Sequence, residues 1–321
     1  MNTRIPLHLF RRNFSFTPLL RRRIGGASSS WRVSEPSMHF QQQQGSKAST
    51  FPWTKALGLG VAVGLGGVAI DAALNSATAS NAGVVTDFDT LATNSFVREY
   101  LSESFRYVGA ALALTASSAF ALHRSPSFQR AMARSPIAAS IGGLVVTIGA
   151  MIGTMNTDPT NTVQKHVLFA TFALAKGAML SPLFFLNPAI LARAGLYTAA
   201  IVGSLSFVAA TAKTDRFLYL GGPLFAGLCV VALSSLGAAF LPASSVALPF
   251  LHSLSLYGGL VVFGGFVLYD TQKVMAHGRL VSRGVQKRDT VNESIGIYLD
   301  FINIFVRMVQ ILAMGGSNKR R

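Results

Sequence analysis

One long apolar stretch limits the fold of this chain more than any other feature. Between Phe217 and Tyr269 there is no Asp, Glu, Lys or Arg. A helix crosses a bilayer core with about 20 mostly apolar residues, so this stretch holds two spans, divided by the turn signal from Leu241-Pro242 to Pro249. Half of the 321 residues are hydrophobic and only 12% are charged. The sequence therefore predicts an all-α integral membrane protein.

Further apolar runs predict the number of spans. A candidate that is rich in glycine and carries Asp71 near one end lies before residue 100, at 56–74. Later runs lie at 105–122, 135–157, 167–186, 194–212 and 294–314. The predicted organisation is an extra N-terminal span in 55–75, a polar linker at 76–104, a seven-helix membrane domain at 105–316 and a basic tail at 317–321. Small residues at four-residue spacing, as in Gly149/Gly153 and Ala199/Gly203, predict close helix packing within the bundle.

The first 54 residues have the composition of a targeting segment. They contain eight Arg or Lys residues and a single acid, Glu35, and their apolar residues Leu7, Phe10 and Phe14 recur at helical spacing. This pattern is typical of a mitochondrial transit peptide, because a cationic amphipathic helix is drawn toward the negative matrix side. A secretory signal is disfavoured because Arg11-Arg12 interrupts its apolar core. Residues 1–54 are predicted to be a transit peptide followed by a disordered spacer.

The net charge of +16 does not indicate nucleic-acid binding, because the basic residues after the targeting segment are scattered over short loops. Basic loops beside apolar spans set the topology of a membrane protein. The linker 76–104 is acidic and the loop 123–136 is basic, so that loop and the mature N-terminus are predicted in the matrix. The loop 271–293 breaks this pattern, since its five basic residues fall on the predicted opposite side.

The last two spans carry acids where lipid is expected. Asp270 follows FGGFVLY, and Asp300 begins a polar stripe with Asn303, Arg307 and Gln310 on an otherwise apolar helix. A charge at the lipid-facing centre of a helix costs at least ~2.5–3.5 kcal/mol, which favours burial of the stripe over a helix lying on the membrane surface. For Asp270 the alternative is the solvated end of a span, with Lys273 one turn away.

If the last two helices form a hairpin, the carboxyl groups of Asp270 and Asp300 meet at similar depth. Two such groups in a low dielectric share one proton, which a cation can replace. They offer at most four oxygens, whereas calcium takes about 6–8, so calcium binding is expected to be weak and no stable metal site is predicted. The single cysteine, Cys229, excludes a disulfide framework or thiolate metal site within the chain, and no cofactor is predicted.

Three segments resemble the transmembrane Bax inhibitor motif family from about residue 96 to the end. They are LYGGLVVFGGFVLYDTQKV (256–274), GVQKRDTVNESIGIYLDFINIFVRMVQILAMGG (284–316) and TAKTDRF (211–217). The resemblance implies a seven-helix bundle around a central last helix, with Asp270 and Asp300 as a proton-sensing pair that gates calcium leak. The transit peptide and extra span agree with the mitochondrial branch. That branch implies inner-membrane residence, calcium/proton exchange or leak, cristae maintenance and protection from apoptosis.

The chain departs from the family at one point. Some members carry an arginine in the second family helix that latches onto the aspartate pair, whereas residues 135–157 have no charge. The candidates to replace it are Lys176, Arg106 and Arg307, or this branch gates differently.

Two other functions stay open beside the ion pathway. One is an inner-membrane scaffold that contacts proteases and cristae proteins, in which the acids serve helix packing. The other is an intramembrane aspartyl protease, which is disfavoured because such enzymes carry Gly-x-Gly-Asp and here Ile297-Tyr298-Leu299 precedes Asp300. The predicted protein is thus not an enzyme, with calcium and protons as its ions and the lipid bilayer as its main partner.

Overall fold

The computed structural model of the chain describes residues 88–212, 215–242 and 244–317, with side chains from Ser95 to Gly315. The predicted transit peptide, the spacer, the extra span at 56–74 and the tail after Ser317 lie outside the described residues. These assignments remain predictions.

The described part of the chain is helical and contains no β-strand. Seven of its helical segments are long and apolar enough to cross a membrane, which confirms the predicted all-α membrane fold. The helices are α1 (Phe88–His123), α2 (Pro126–Arg134), α3 (Pro136–Asn156), α4 (Thr162–Leu180), α5 (Pro188–Thr211), α6 (Gly221–Phe240), α7 (Leu248–Ser253), α8 (Gly259–Ser282) and α9 (Thr290–Ser317). A π-helical turn, Leu254–Gly258, joins α7 to α8, so that the two form one span.

Local sequence signals mark the first residues of several of these helices. Proline occupies the first position of α2, α3 and α5, where its missing N–H needs no helical partner. The Asn187 side chain accepts a hydrogen bond of 2.9 Å from the backbone N–H of Ala189 at the start of α5. Asp289 accepts one of 3.1 Å from the backbone N–H of Asn292 at the start of α9.

The last helix, α9, has the largest buried share of the seven spans. It packs directly against α1, α5 and α8, and it reaches α4 through Tyr298, whose ring lies 5.2 Å from that of Phe172. The outer helices α3 and α6 pack against α4 and α8. They expose apolar side chains such as Ile141 and Leu233, which is the surface expected to face lipid.

Two helices extend furthest beyond their predicted bounds. α1 begins at Phe88, inside the segment predicted as a linker, because Val97, Tyr100 and Leu101 form a buried face while Glu99 and Arg106 are exposed. α8 continues three turns past Asp270 to Ser282. Asp270 therefore lies halfway along a helix, and the alternative of a solvated helix end does not apply.

Helices α1 and α4 make a close crossing at Gly177. A Cβ placed on Gly177 would lie 2.8 Å from the Ser118 Cβ and 3.1 Å from the Ala119 backbone nitrogen. Hydrogen bonds from the Thr115 hydroxyl to the Ala173 carbonyl (3.1 Å) and from the Ser118 hydroxyl to the Leu174 carbonyl (2.8 Å) flank the crossing. The crossing thus depends on one glycine, as expected where helix backbones approach in lipid.

We expect Gly177→Ala to lower the free energy of unfolding by about 1–3 kcal/mol, because backbone atoms of α1 must move to admit the methyl group. Thermal unfolding in one detergent, followed by circular dichroism, measures the loss. Gly149→Ala on α3 is the matched control, since nothing lies within 4 Å of its added Cβ. Equal stability of the two variants would show that the crossing tolerates a side chain.

Candidate functional site

The two acids lie on neighbouring helices of a hairpin. Asp270 belongs to α8 and Asp300 to α9, and the short connection between these helices turns at Gly284, whose φ is +71°. A positive φ is the backbone region that glycine adopts without strain. The two helices pack along their length, which brings the middle of one against the middle of the other.

The carboxyl groups of Asp270 and Asp300 lie within hydrogen-bonding reach of each other. Two carboxyl groups form such a bond only when one of them carries a proton. Asp300 is 4% exposed, and its Oδ2 atom has no hydrogen-bond partner among the described residues. A buried oxygen without a partner is costly unless a ligand, a proton or water satisfies it. The pair therefore forms a candidate site for a proton or a cation.

Gly296 provides the space in which the carboxyl groups of Asp270 and Asp300 approach each other. It lies one turn before Asp300 on α9, and a Cβ placed on it would lie 2.9 Å from the Asp270 Cγ. Real Cβ atoms essentially never approach another heavy atom so closely. The Asp270 side chain thus rests on the α9 backbone at Gly296, which directs its carboxyl group toward Asp300.

A third acidic residue lies near the pair. Glu293 is close enough to Asp270 for its charge to act on that carboxyl group. The His277 Nδ1 donates a hydrogen bond of 2.7 Å to the Glu293 Oε1. The exposed fractions of His277 and Glu293 are 29% and 10%, so this pair lies between the buried Asp300 and the surface.

Ion pairs fix the hairpin connection at one end of the bundle. They join it and the nearby helix ends to α1, to the α3–α4 loop, to α4 and to the loop before α6. The pairs are Lys165–Asp289 (2.7 Å), Arg279–Asp215 (2.7 Å), Lys287–Asp158 (2.6 Å), Arg288–Glu99 (3.0 Å) and Arg288–Glu103. We call this the paired end. The opposite end, the basic end, carries Arg124, Arg130, Arg134 and Arg193, and its described residues include no Asp or Glu.

The exposed ion pairs of the paired end are favourable at neutral pH. A hydrogen bond from Lys287, followed by those from the backbone N–H and hydroxyl of Thr160, holds the pKa of Asp158 below its usual range. The pair with Lys287 is therefore complete above the ordinary pKa of an aspartate and is lost only as the pH falls well below it. Glu103 and then Glu99 raise the pKa of Arg288.

One pair of the paired end is buried. Lys165 is 2% exposed, and its Nζ donates to the Asp289 Oδ2 at 2.7 Å and to the Thr157 carbonyl at 2.8 Å. Asp289 also caps α9, so this contact links the start of the last helix to α4.

The remaining residues of the predicted stripe lie beyond the pair, toward the basic end. The Arg307 Nη1 donates to the Asn303 carbonyl at 3.1 Å and to the Asn303 Oδ1 at 3.3 Å. Its Nε donates to the Ser255 carbonyl at 3.3 Å. Arg307 thus contacts Asn303 and the π-helical turn, and within the described part of the chain no ion pair joins it to an aspartate.

The other candidate partners take separate positions. Arg106 is exposed on α1, and Lys176 is half-buried on α4. The described ion pairs include neither residue. The cation whose charge acts on Asp270 is instead Lys273, one turn later on α8.

Several residues of the site escaped the sequence analysis. Gly296 and Glu293 precede Asp300 by four and seven residues, which places all three on one face of α9, and this spacing was the available signal. No local sequence pattern indicates the pair of Lys165 and Asp289, because the two residues are 124 positions apart in the chain.

Comparisons with known proteins find related sequences over most of the chain. A family model described as "Inhibitor of apoptosis-promoting Bax1" matches residues 97–317. The chain is 40% identical to the growth hormone-inducible transmembrane protein of Rattus norvegicus over 231 residues, which cover 70% of this chain and 66% of that protein. It is 36% identical to Bax inhibitor 1 of Homo sapiens over 191 residues, 56% of this chain and 75% of that protein. Bax inhibitor 1 of Arabidopsis thaliana is 29% identical over 187 residues, 56% of this chain and 72% of that protein. No solved structure matches the chain significantly.

Proposed function

The chain belongs to the family of inhibitors of apoptosis-promoting Bax1, and on that premise we propose that it forms a pH-sensitive calcium leak or calcium/proton exchange pathway of the mitochondrial inner membrane. Asp270 and Asp300 are its ion-binding residues. The observation that carries this proposal is the approach of two carboxyl groups inside the bundle, where the Asp300 Oδ2 is buried and has no partner among the described residues.

The chemistry follows from the charge of the pair. With a shared proton the two carboxyl groups carry one negative charge, and loss of that proton leaves two, which attract a divalent cation. Calcium and protons therefore compete, and calcium binding weakens as the pH falls. Among the described residues no group of three or more His, Cys, Asp or Glu side chains is placed to hold a metal ion, so this site offers few of the oxygens that calcium takes. A weakly held ion suits passage through the membrane.

The location rests on the predicted transit peptide and on the charges of the two ends. Cationic residues near spans stay on the electrically negative side of a membrane, which for the mitochondrial inner membrane is the matrix. The basic end with Arg124, Arg130 and Arg134 is the matrix side in this proposal. Of the five basic residues in 271–293, three form ion pairs with acids from other segments. They hold the loop in place at the opposite end.

Calcium transport would also account for the proposed role in cristae organisation and in apoptosis. A pathway that limits matrix calcium would support cristae organisation and resistance to apoptosis, as the family resemblance implies. In this proposal the protein transports ions and has no enzymatic activity.

Purified protein in calcium-loaded liposomes tests the proposal. We expect Asp270→Asn and Asp300→Asn each to reduce calcium release to the level of protein-free vesicles, because an amide keeps the size of the side chain but cannot take the second negative charge. Release by the unchanged protein should fall as the pH is lowered. A calcium-sensitive dye outside the vesicles measures the rate.

Asp158→Asn is the matched control, since it removes an acid from an exposed ion pair at the paired end. It should leave calcium release unchanged. Unaltered release by both site variants would reject the ion pathway. If cells carrying them also kept normal cristae, a scaffold role would explain the protein better.

A further inference from the structure

Polar side chains run through the contact between α8 and α9. The polar seam begins at the paired end with Glu293 and His277, continues with Asp270 and Asp300, and ends toward the basic end with Asn303 and Arg307. Seven helical residues separate Asp300 from Arg307, a distance of roughly 10 Å along α9. The seam thus has acids in its middle and toward the paired end, and a cation, Arg307, toward the basic end.

Arg307 is held in one position. Besides its hydrogen bonds to the Ser255 carbonyl and to Asn303, its guanidinium carbon lies 4.7 Å from the centre of the Phe263 ring. A Cβ placed on Gly259 would lie 2.6 Å from this carbon, so α8 provides a glycine where the guanidinium passes. A planar cation packed against an aromatic ring and a backbone has little freedom to swing aside while α8 and α9 stay packed together.

The charge of Arg307 is not neutralised by a neighbouring acid. The described residues place no Asp or Glu within 4 Å of its guanidinium nitrogens. A fixed positive charge inside a membrane protein repels cations strongly, because the surroundings screen it far less than water does. At the other end of the seam, Glu293 attracts cations and lies beside Asp270.

We infer that Arg307 is an electrostatic barrier that closes the polar seam toward the basic end in this conformation, so that cations reach Asp270 and Asp300 only from the paired end, past Glu293 and His277. This inference rests on the proposed function, to which it adds the side of access and the residue that sets it. Arg307 excludes any small cation, including calcium, and calcium crosses to the basic end only in a second conformation in which α8 and α9 separate and Arg307 leaves the seam.

A cationic, membrane-impermeant carbodiimide tests the inference without measuring transport. This reagent modifies carboxyl groups that it can reach, and mass spectrometry of peptides then reports Asp270 and Asp300 separately from Glu293. Because α9 ends at the basic end, a C-terminal affinity tag sorts vesicles that expose that end from vesicles that expose the paired end. The reagent is added outside both populations.

We expect the unchanged protein to be modified at the aspartates only in vesicles that expose the paired end. Arg307→Gln keeps hydrogen-bond donors for the Ser255 carbonyl but loses the charge, and it should be modified from both sides. Arg193→Gln is the matched control, because it removes an exposed arginine from the same end and should behave as the unchanged protein does.

Equal modification of the unchanged protein from both sides would overturn the inference. One-sided modification of Arg307→Gln together with a lower unfolding temperature would also overturn it, since Arg307 would then only secure the π-helical turn. One-sided access in a protein that releases no calcium would instead contradict the proposed function and leave the barrier in place.

Discussion

Asp289→Asn is expected to lower the free energy of unfolding by about 3–5 kcal/mol, because it leaves the ammonium group of Lys165 buried without a counter-charge. Lys165 is 2% exposed and Asp289 is 15% exposed, so solvent screens this pair little. Asparagine also caps helices well, and the start of α9 should therefore stay intact. Thermal unfolding in detergent should show a midpoint lower by on the order of 10 °C.

Two further variants separate the effect of the uncompensated charge of Lys165 from the effect of losing an ion pair. Lys287→Gln breaks the exposed pair with Asp158, whose side chains are 68% and 41% exposed, and should cost far less stability, because solvent screens the pair. Adding Lys165→Met to Asp289→Asn removes the uncompensated charge and should recover part of the lost stability. If Asp289→Asn cost no more than Lys287→Gln, the buried pair would not hold the hairpin to α4.

The seven spans of the described chain were predictable because the bilayer requires long apolar helices, and runs without charge show where these lie. Their ends were less predictable. Glu99 and Glu103 made the start of α1 look like a linker, but they lie on its outer face and bind Arg288 from the hairpin connection. A charge in a sequence does not reveal the partner that neutralises it. The same reason explains why the basic loop 271–293 breaks the predicted charge pattern, since three of its basic residues pair with acids from other segments.

Small-residue spacing predicted only some of the close contacts. Nothing lies within 4 Å of a Cβ placed on Gly149 or Gly203, whereas one placed on Gly153 would lie 3.3 Å from the Leu168 side chain. Among the described glycines the tightest backbone approach falls at Gly177, which follows Ala173 at the same four-residue spacing. Spacing shows which residues share a helix face, but it does not show which helix lies opposite. The opposite helix decides whether a glycine is needed.

For the candidate site, the sequence predicted that Asp270 and Asp300 face each other, since a hairpin of the last two helices places both acids at similar depth. The polar stripe of α9 was also visible in the sequence. The contacts of Arg307 were not, because they depend on a π-helical turn at Leu254–Gly258 and on a glycine at position 259. Hydrogen bonds that leave the regular helical register have no periodic signal in the sequence.

Gly296→Ala is expected to reduce calcium release to near the level of protein-free vesicles while the protein stays folded. The added methyl group would lie 2.9 Å from the Asp270 Cγ and closer still to a carboxylate oxygen, so the Asp270 side chain must turn away from Asp300. Both acids remain present, and only the contact between their carboxyl groups is lost. Alanine favours a helix over glycine by about 1 kcal/mol, which offsets part of the strain. Calcium release and thermal unfolding of the same preparation measure the two effects.

Gly315→Ala is the control on the same helix, because nothing lies within 4 Å of a Cβ at that position. It should release calcium as the unchanged protein does. Loss of release in Gly296→Ala without a matching loss of stability would show that transport needs the two carboxyl groups in contact, beyond the presence of two acids in the membrane. Normal release by Gly296→Ala would mean that Asp270 and Asp300 act independently, and the shared-proton mechanism would then fail even if each asparagine variant were inactive.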